Sequence, residues 1–260
     1  MTANGGAWLY RSVVPLLTVL SLCMIWWAGS ASGVISPMTF PPPSEVMHSF
    51  WRIAVDSYAD GQLYVHVLYS LKRVLIGFVL AALIGIPLGL AMGFSPSVEA
   101  FVNPAFLLLR PIPPLAWIPL AIVWLGLDDA AKVLVIFIAA FIPAVINAYA
   151  GARSLPPQLA EAAAVLGIRN TRFITEVLVP GALPMCFTGM RLSLQSSWTT
   201  LVAAELIGAT FGLGHVLNQA ALDIDMAMIV VAMVCVAVLG ALTNWVLAVW
   251  ETRLMPWRHV

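Results

Sequence analysis

One predicted membrane span contains more polar side chains than any other, and these residue types could do chemistry. The polar set lies between Leu183 and Gly208 and consists of Arg191, Gln195, Trp198, Thr199 and Glu205. Charged and amide side chains are costly in hydrocarbon and must face protein or water. Spacings of 4, 3 and 7 return to roughly one helix face, with Thr199 close to it. This pattern predicts a face that lines a polar translocation path.

The alternative is that Arg191 and Glu205 only pair with other helices. The two residues lie about 21 Å apart along a helix axis, so they cannot pair with each other within one chain. Under the path hypothesis, Glu205→Gln and Arg191→Ala impair transport without loss of folded protein.

Arg110 is a second candidate, in the stretch LLLRPIPPLAWIP. It is expected either to meet an anionic solute at a gate or to extend its charge toward lipid headgroups. The residue pattern leaves both interpretations open.

No enzyme site accompanies these residues. The serines and the four scattered histidines form no nucleophile–base–orienter set, and no GxSxG or HExxH pattern occurs. No metal-ligand spacing is present among the three cysteines. Because no GxxxxGK[ST] loop occurs, any ATP must be bound by another chain. We therefore expect a non-enzyme with no catalytic, metal or cofactor site.

The composition indicates an integral membrane protein. The 260 residues are 62% hydrophobic and only 9% charged, whereas soluble domains carry about 25% charged residues. Zero net charge gives no indication of nucleic-acid binding. We predict an all-α polytopic fold in one transmembrane domain, residues 1–260. Its six spans are expected at about 13–30, 66–94, 104–126, 130–151, 181–208 and 226–250.

Several details qualify these spans. The first run also fits a signal peptide, although we favour a retained span. Prolines between 104 and 119 cannot all lie in one straight helix, so a surface or tilted helix to about Leu109 is expected before the third span. Ser44 is expected to cap an amphipathic surface helix over Glu45 to Asp56. Glycines at four- or eight-residue steps in the second span predict close helix packing.

Loop cations predict the orientation of the chain. With both termini in the cytoplasm, the inner segments carry Arg11, Arg153, Arg169, Arg172, Arg253 and Arg258. The outer loops clearly carry only Arg52, with Lys72, Arg73 and Lys132 near span boundaries. The excess of inner cations therefore predicts cytoplasmic termini.

The loop 154–180 is charged and contains helix punctuation. Ser154 can cap a helix, and Pro156 and Pro157 suit its first turn. Gly167 suits the left-handed residue that ends the helix, and Asn170 can cap a second one. The first helix is about 16 Å long, too short to span a bilayer. Its alanine-rich surface would let another protein approach closely.

The loop also matches a known pattern, which consists of Glu161-Ala162-Ala163, three residues, Gly167, nine residues and Val177-x-Val179-Pro180. This resembles the EAA signature of ABC importer permeases, which ends in I-x-L-P. Valine replaces both the isoleucine and the leucine here. Further stretches, including LRPIPPLA, WTTLVAAEL and RLMPW, resemble the taurine, aliphatic sulfonate and nitrate branch over residues 36 to 258. Among branch members the chain looks most similar to taurine permeases.

The resemblance implies a type I importer permease in the bacterial inner membrane. Two permease chains would form a homodimer in membrane lipid, with the path at their interface. Two cytoplasmic ATPases, which bind ATP and Mg²⁺, would dock on the coupling residues Glu161, Ala162, Ala163 and Gly167. A periplasmic binding protein would deliver a small anionic or zwitterionic solute, with taurine or another sulfonate favoured and nitrate or bicarbonate as the alternative. A competing hypothesis is an ion-coupled carrier or channel that needs no ATPase and uses Glu205 as its ion site.

Overall fold

The structure is a computed structural model that describes residues 4–32, 36, 40–169 and 171–256. Its helices are α1 (Asn4–Ala31), α2 (Pro43–Val55), α3 (Leu63–Phe94), α4 (Pro96–Leu109), α5 (Ile118–Leu125), α6 (Asp129–Arg153), α7 (Pro157–Val165), α8 (Thr171–Phe173), α9 (Val179–Leu206), α10 (Leu213–Leu222) and α11 (Met226–Leu254). A 3₁₀ turn, Pro114–Trp117, precedes α5, and a π-helical turn, Ile174–Leu178, joins α8 to α9. No strand occurs in these described ranges. The predicted all-α fold is confirmed.

Four helices are long and apolar enough to cross a membrane: α3, α6, Thr171–Leu206 and α11. A fifth span exists if α4 and Pro114–Leu125 count as one broken helix with an 85° bend. In α1, the stretch Leu17–Ser30 is apolar but shorter than these spans. The expected number of six is therefore approximate.

The interval 104–126, expected as one span, is not one helix. α4 ends at Leu109 and α5 begins only at Ile118. Pro113 has an extended backbone (φ −58°, ψ 135°), because proline supplies no N–H and the residue before a proline is disfavoured in the α region. Pro113 is itself followed by Pro114, so the chain breaks here.

Small residues join α3 to α6, as their spacing predicts. A Cβ added at Gly85 would lie 3.1 Å from the Ala144 Cβ, and one added at Gly89 would lie 2.8 Å from the Ala148 Cβ. Each partner lies the same number of positions further along the chain, so the two helices run parallel. The chain between them, residues 95–128, must therefore cross back, and α4 and α5 together make that crossing.

α9 runs antiparallel to both α6 and α11. A Cβ at Gly151 would meet Ala182, and the Ser193 hydroxyl donates to the Ala140 carbonyl at 2.6 Å. These contacts define two ends of the bundle. The α7 end contains the ends of α3 and α6, and the α10 end contains their beginnings.

The helix caps differ in part from expectation. α7 has Pro156 at its N-cap with no side-chain hydrogen bond, while Ser154 is the C-cap of α6. Pro156 has no side-chain acceptor for a cap, and Pro157 has no N–H that needs one, while its fixed φ suits the first turn of the helix. α2 likewise begins at Pro43 rather than after Ser44. The expected cap at Asn170 lies outside the described residues.

Gly167 ends α7 as predicted. Its φ is +72°, a left-handed conformation that glycine adopts without penalty. Its N–H donates to the Ala164 carbonyl at 3.1 Å, and the Ile168 N–H donates to the Ala163 carbonyl at 2.8 Å. This pair of bonds is the Schellman motif, which satisfies carbonyls at the helix end.

Candidate translocation cleft and coupling loop

A cleft of about 620 Å³ lies between α9 and α11. Its lining comprises Arg191, Leu192, Leu194, Gln195, Trp198, Thr199 and Val202 from α9 and Val236, Ala237, Gly240, Ala241 and Asn244 from α11. Arg191 is the one charged member of that lining. The structure thus brings four of the five residues predicted for the path to one cleft, and it adds Asn244, which sequence reasoning missed.

Trp198 forms a fixed wall of the cleft. Its indole N–H donates to Thr243 Oγ1 at 3.0 Å, and the ring packs in a buried cluster with Leu194 and Leu201. Thr243 Oγ1 in turn donates to the Leu239 carbonyl at 2.8 Å. A buried indole N–H normally needs such a partner, and the bond holds α9 against α11 at this depth.

Arg191 pairs with Glu251 near the end of α11. The Arg191 guanidinium donates from Nη2 to Glu251 Oε2. The Arg191 side chain is 45% exposed and that of Glu251 is 12% exposed. The carboxylate is therefore the more buried partner, and the guanidinium faces the open cleft. The distant Glu251 carried no signal of its own in the sequence.

A second cleft, of about 350 Å³, lies on the other side of the same polar face of α9. It is lined by Pro114, Leu192, Gln195, Ser196, Thr199 and Thr200. Gln195 and Thr199 lie between the two clefts and are exposed. The helix break at Pro114 therefore borders this polar face, consistent with the rule that broken helices at membrane depth border protein or a cavity.

Arg110 lies at the C-terminal end of α4 and is exposed. It is absent from the linings of both clefts. Its contact with solute or with lipid stays a prediction.

Glu205, the fifth predicted path residue, is not in either cleft. It is 1% exposed and accepts a hydrogen bond from Arg73 Nη1 at 2.6 Å. The Ser70 hydroxyl lies 2.9 Å from both carboxylate oxygens, and the Gly214 N–H donates to Oε2 at 2.9 Å. In this structure Glu205 pairs with another helix, which is the alternative that the sequence left open.

The buried cluster around Glu205 also attaches α10 to the bundle. Arg73 binds the Asp129 carboxylate at 2.5 Å and the Phe211 carbonyl at 2.6 Å. The Gly212 N–H donates to His66 Nδ1 at 3.1 Å. The Glu205 carboxylate thus lies at the N-terminus of α10, where a negative charge is favourable. We call this group, Ser70, Arg73, Asp129, Glu205 and the 211–214 backbone, the α10-end cluster.

Sequence reasoning missed Arg73, although a signal was available. Arg73 follows Lys72 within an apolar run, and an ionisable residue at such a position marks an interior partner. Its partner Glu205 is 132 positions away, so the sequence could not name the pair.

The outer edge of the α10-end cluster carries further polar contacts. The Tyr58 hydroxyl donates to Asp223 at 2.7 Å, and Arg52 pairs with Asp225 at 2.5 Å. Burial, followed by the hydrogen bond to Asp223, raises the pKa of the Tyr58 phenol above its ordinary value. These contacts attach the last turn of α2 and the segment that follows it to the turn between α10 and α11.

At the opposite end, α7 presents an exposed surface. Glu161, Ala162 and Gly167 are exposed, and the apolar residues Val165 and Leu166 are 88% and 76% exposed.

Ala163 differs from the other three predicted coupling residues. Only 4% of its surface is exposed, so Ala163 packs toward the bundle rather than toward a partner. The resemblance implied that the ATPase docks on Ala163 as on the other three, but a larger side chain at Ala163 would clash first within the chain itself.

Comparison of the chain with known proteins identifies its family. The family described as "Binding-protein-dependent transport system inner membrane component" matches residues 75–256. The chain is 37% identical to the taurine transport system permease protein of Escherichia coli K12 over 241 residues, 92% of this chain and 88% of that protein. It is 33% identical to the putative aliphatic sulfonates transport permease protein of Bacillus subtilis, covering 96% and 89%. It is 31% identical to the nitrate import permease protein of Synechocystis, covering 95% and 89%.

The fold is shared with a solved transporter. A structure of the methionine ABC transporter MetNI in an inward-facing conformation matches with a TM-score of 0.65 at 19% identity, covering 73% of this chain and 94% of that chain. At this identity the match shows the fold alone. With the family description covering residues 75–256, this protein belongs to the inner membrane components of binding-protein-dependent transport systems, and it is a permease subunit of an ABC importer.

Proposed function

We propose that this permease forms one half of a homodimeric importer and that the α9–α11 cleft is its part of the solute path. The observation that carries the proposal is the lining of the cleft, which combines one arginine with amide and hydroxyl groups and a fixed tryptophan. Such a polar lining on an otherwise apolar helix pair is typical of a path for a polar solute.

The openness of the polar face supports a second copy as its partner. Arg191, Gln195 and Thr199 are all exposed, although their helix is one of the apolar spans. Polar groups facing hydrocarbon would be costly, whereas a second copy would enclose them and the water between. The two clefts would then join into one path.

The α7 surface suits a cytoplasmic ATPase. Val165 and Leu166 project apolar side chains from a short helix outside the spans, and buried apolar anchors dominate most protein interfaces. The α7 end would then be cytoplasmic, together with both termini. The α10 end would face the periplasmic binding protein.

We favour taurine or another sulfonate as the solute. The names of the relatives concern taurine, aliphatic sulfonates and nitrate, and a guanidinium binds oxyanions through paired N–H groups. Nitrate and bicarbonate stay alternatives. The carrier hypothesis is disfavoured because its ion site, Glu205, is occupied by Arg73 and Ser70.

The deciding experiment is ATP hydrolysis by the permease reconstituted with its ATPase. The binding protein would be loaded in turn with taurine, an alkanesulfonate, nitrate or bicarbonate. We expect stimulation by a loaded sulfonate and none by the empty binding protein. Stimulation by nitrate alone would move the solute to the alternative, and failure to form any complex with an ATPase would contradict the importer.

Coupling through α7 has a matched test. Gly167→Val forces a β-branched residue into a left-handed conformation and should disturb the end of α7, so that hydrolysis proceeds with reduced uptake. Gly126 offers the control, because its φ is +76° and a Cβ there meets nothing within 4 Å, as at Gly167. Gly126→Val likewise forces a β-branched residue to a positive φ, at the α10 end and with a ψ of −171°, and it should leave the ratio of hydrolysis to uptake unchanged. Equal uncoupling by both variants would contradict the role of α7.

A further inference from the structure

A polar cavity of about 340 Å³ lies between α2 and the start of α11, at the α10 end. Its lining is almost entirely polar and comprises Ser44, Glu45, His48, Ser49, Arg52, Asp225 and Ala227. None of these residues lines the α9–α11 cleft. The cavity is therefore separate from the proposed solute path.

Two donors in this cavity have hydrogen-bonding capacity that the described residues do not use. Ser49 is only 6% exposed, and its hydroxyl has no hydrogen-bond partner in the described parts of the chain. The Arg52 Nε is buried and likewise has no partner there, although Arg52 Nη2 donates to Asp225 Oδ2. Because buried polar groups are normally paired, these donors indicate a ligand that accepts hydrogen bonds.

The charges of the lining indicate what else the ligand carries. Asp225 uses both oxygens, since Oδ2 binds Arg52 and Oδ1 accepts from the Met228 N–H at 3.0 Å. The Glu45 carboxylate is exposed, and no described residue binds it. With histidine counted as neutral, two carboxylates and one guanidinium leave the lining with an excess negative charge. Glu45 would repel a purely anionic ligand, whereas an ammonium group on the ligand would pair with it.

The helix α2 is amphipathic in the manner of a membrane-surface helix. Its side toward the bundle is buried, with Ile53 0% exposed. Met47, Trp51 and Val55 recur every four residues, and each is more than half exposed. At about 100° per residue, this apolar stripe lies roughly a quarter turn from the polar face that lines the cavity. Such a helix lies with its apolar side at the acyl chains and its polar side among the headgroups, and tryptophan favours that boundary.

We propose that the cavity binds the headgroup of a phospholipid that carries both a phosphate and a primary ammonium, as phosphatidylethanolamine does. The phosphate oxygens accept hydrogen bonds from Arg52 and Ser49, and the ammonium donates to Glu45. The acyl chains lie along the apolar stripe of α2. This lipid site goes beyond the proposed function and does not depend on the α9–α11 cleft being the solute path.

Phospholipids with identical acyl chains and different headgroups provide the test. The full-length permease in complex with its ATPase is delipidated in detergent, and the tightest bound lipid is followed by native mass spectrometry. Phosphatidylglycerol lacks the ammonium, and phosphatidylcholine has the positive charge without N–H donors. We expect phosphatidylethanolamine to bind about tenfold more tightly than phosphatidylglycerol, the effect of one charge-assisted hydrogen bond, with phosphatidylcholine between the two.

Two variants separate the contacts with the headgroup. Glu45→Gln removes a charge at an exposed position, so the protein should fold, and the preference over phosphatidylglycerol should fall to about twofold. Ser49→Ala removes a phosphate donor and should weaken all of these lipids while keeping their order. Asp56→Asn is the matched control, because Asp56 is an exposed carboxylate at the other end of α2 and outside the cavity lining. It should behave as wild type.

The inference is wrong if the wild-type complex binds all of these lipids equally or if the preference survives Glu45→Gln. Equal loss of preference in Asp56→Asn would also overturn it, because general surface charge would then explain the effect. Soluble O-phosphoethanolamine carries the same phosphate and ammonium without acyl chains, and we expect it to leave the bound lipid in place. Displacement of the lipid at equal concentration would assign the cavity to a soluble ligand instead.

Discussion

α9 takes part in two arginine–glutamate pairs with opposite surroundings. At the α10 end, Glu205 and Arg73 have side chains 0% and 3% exposed, and their contacts extend to Ser70, Asp129 and the Gly214 N–H. In the cleft, Arg191 and Glu251 are paired with the arginine side chain 45% exposed. The first pair is enclosed and bonded on every side, whereas the second is open on its cationic side.

The difference teaches how to distinguish a structural pair from a site. A buried ion pair needs good geometry and further hydrogen bonds to compensate for its desolvation, and the α10-end cluster supplies both. A guanidinium with donors facing a cleft has bonding capacity left for a ligand. Both regions contain an arginine–glutamate pair, so residue type does not distinguish them. The difference is that Arg191 has N–H donors exposed to the cleft, whereas Arg73 is enclosed.

The largest expected effect comes from breaking the enclosed pair. Glu205→Ala leaves the Arg73 charge buried without its glutamate, which should cost about 3–5 kcal/mol and largely abolish folded protein. This revises the expectation from sequence that Glu205→Gln leaves the protein folded. Yield and monodispersity in detergent, by size-exclusion chromatography, provide the measurement.

A double variant tests the cause. Arg73→Gln combined with Glu205→Gln removes both buried charges and should recover part of the stability lost by either single change. A double variant no more stable than the singles would contradict the view that an unpaired charge causes the loss.

A glycine in each region gives the next comparison. Gly212 has a φ of +140°, and a Cβ there would collide with the Glu205 carboxylate, so Gly212→Ala should cost about 1–3 kcal/mol. Gly240 borders the cleft, and a Cβ there would lie 3.8 Å from Trp198, an ordinary contact. Gly240→Ala should therefore melt close to wild type. Thermal unfolding of both variants measures the difference, and equal losses would remove the contrast between the regions.

The hydrogen bond behind the cleft should have a smaller effect. Thr243→Val removes the acceptor of the Trp198 indole and should cost about 1–2 kcal/mol. The separate variant Trp198→Phe removes the indole donor instead. The Thr243 hydroxyl should then keep its hydrogen bonds to the backbone carbonyls of α11. Intrinsic fluorescence of the variants, together with their melting temperatures, tests whether this bond fixes the tryptophan.

The smallest effect on stability is expected from the open pair. Arg191→Gln should change the free energy of unfolding by about 0–1 kcal/mol, as exposed ion pairs do, while uptake in proteoliposomes falls at least tenfold. Loss of folding comparable to that of Glu205→Ala would show that the two pairs are alike. Wild-type uptake would remove Arg191 from the path.

Much of the fold could be predicted because its signals are local. The glycine steps of α3 predicted a close seam, and Gly167 predicted the end of α7, since both depend on neighbouring positions in one helix. The polar face of α9 also followed from local spacing, and four of its five residues line one cleft. The helix break near Pro113 followed from proline chemistry.

The partners of these residues could not be predicted. Helical spacing placed Arg191 and Glu205 on the same face and therefore predicted the same role for both. Their actual burial and pairing depend on Glu251 and Arg73, which lie in other helices. Ala163 was assigned to an outer surface because alanine is small, which is equally what close packing toward the bundle requires. Pairings between distant positions arise only when tertiary packing brings the helices together.

The π-helical turn at Ile174–Leu178 has a consequence for the rotation of the coupling end. Its bond from the Val179 N–H to the Ile174 carbonyl spans five residues rather than four, so the helix leading to α9 holds one residue more than an α-helix needs. Because the wider turn absorbs this residue, deleting one residue there would restore a regular helix with little rotation of the chain before it, whereas a deletion within the regular part of α9 would rotate that chain by about 100° around the α9 axis. The turn therefore marks the place where the length of the chain between α7 and the Arg191 face can change by one residue while α7 keeps its orientation.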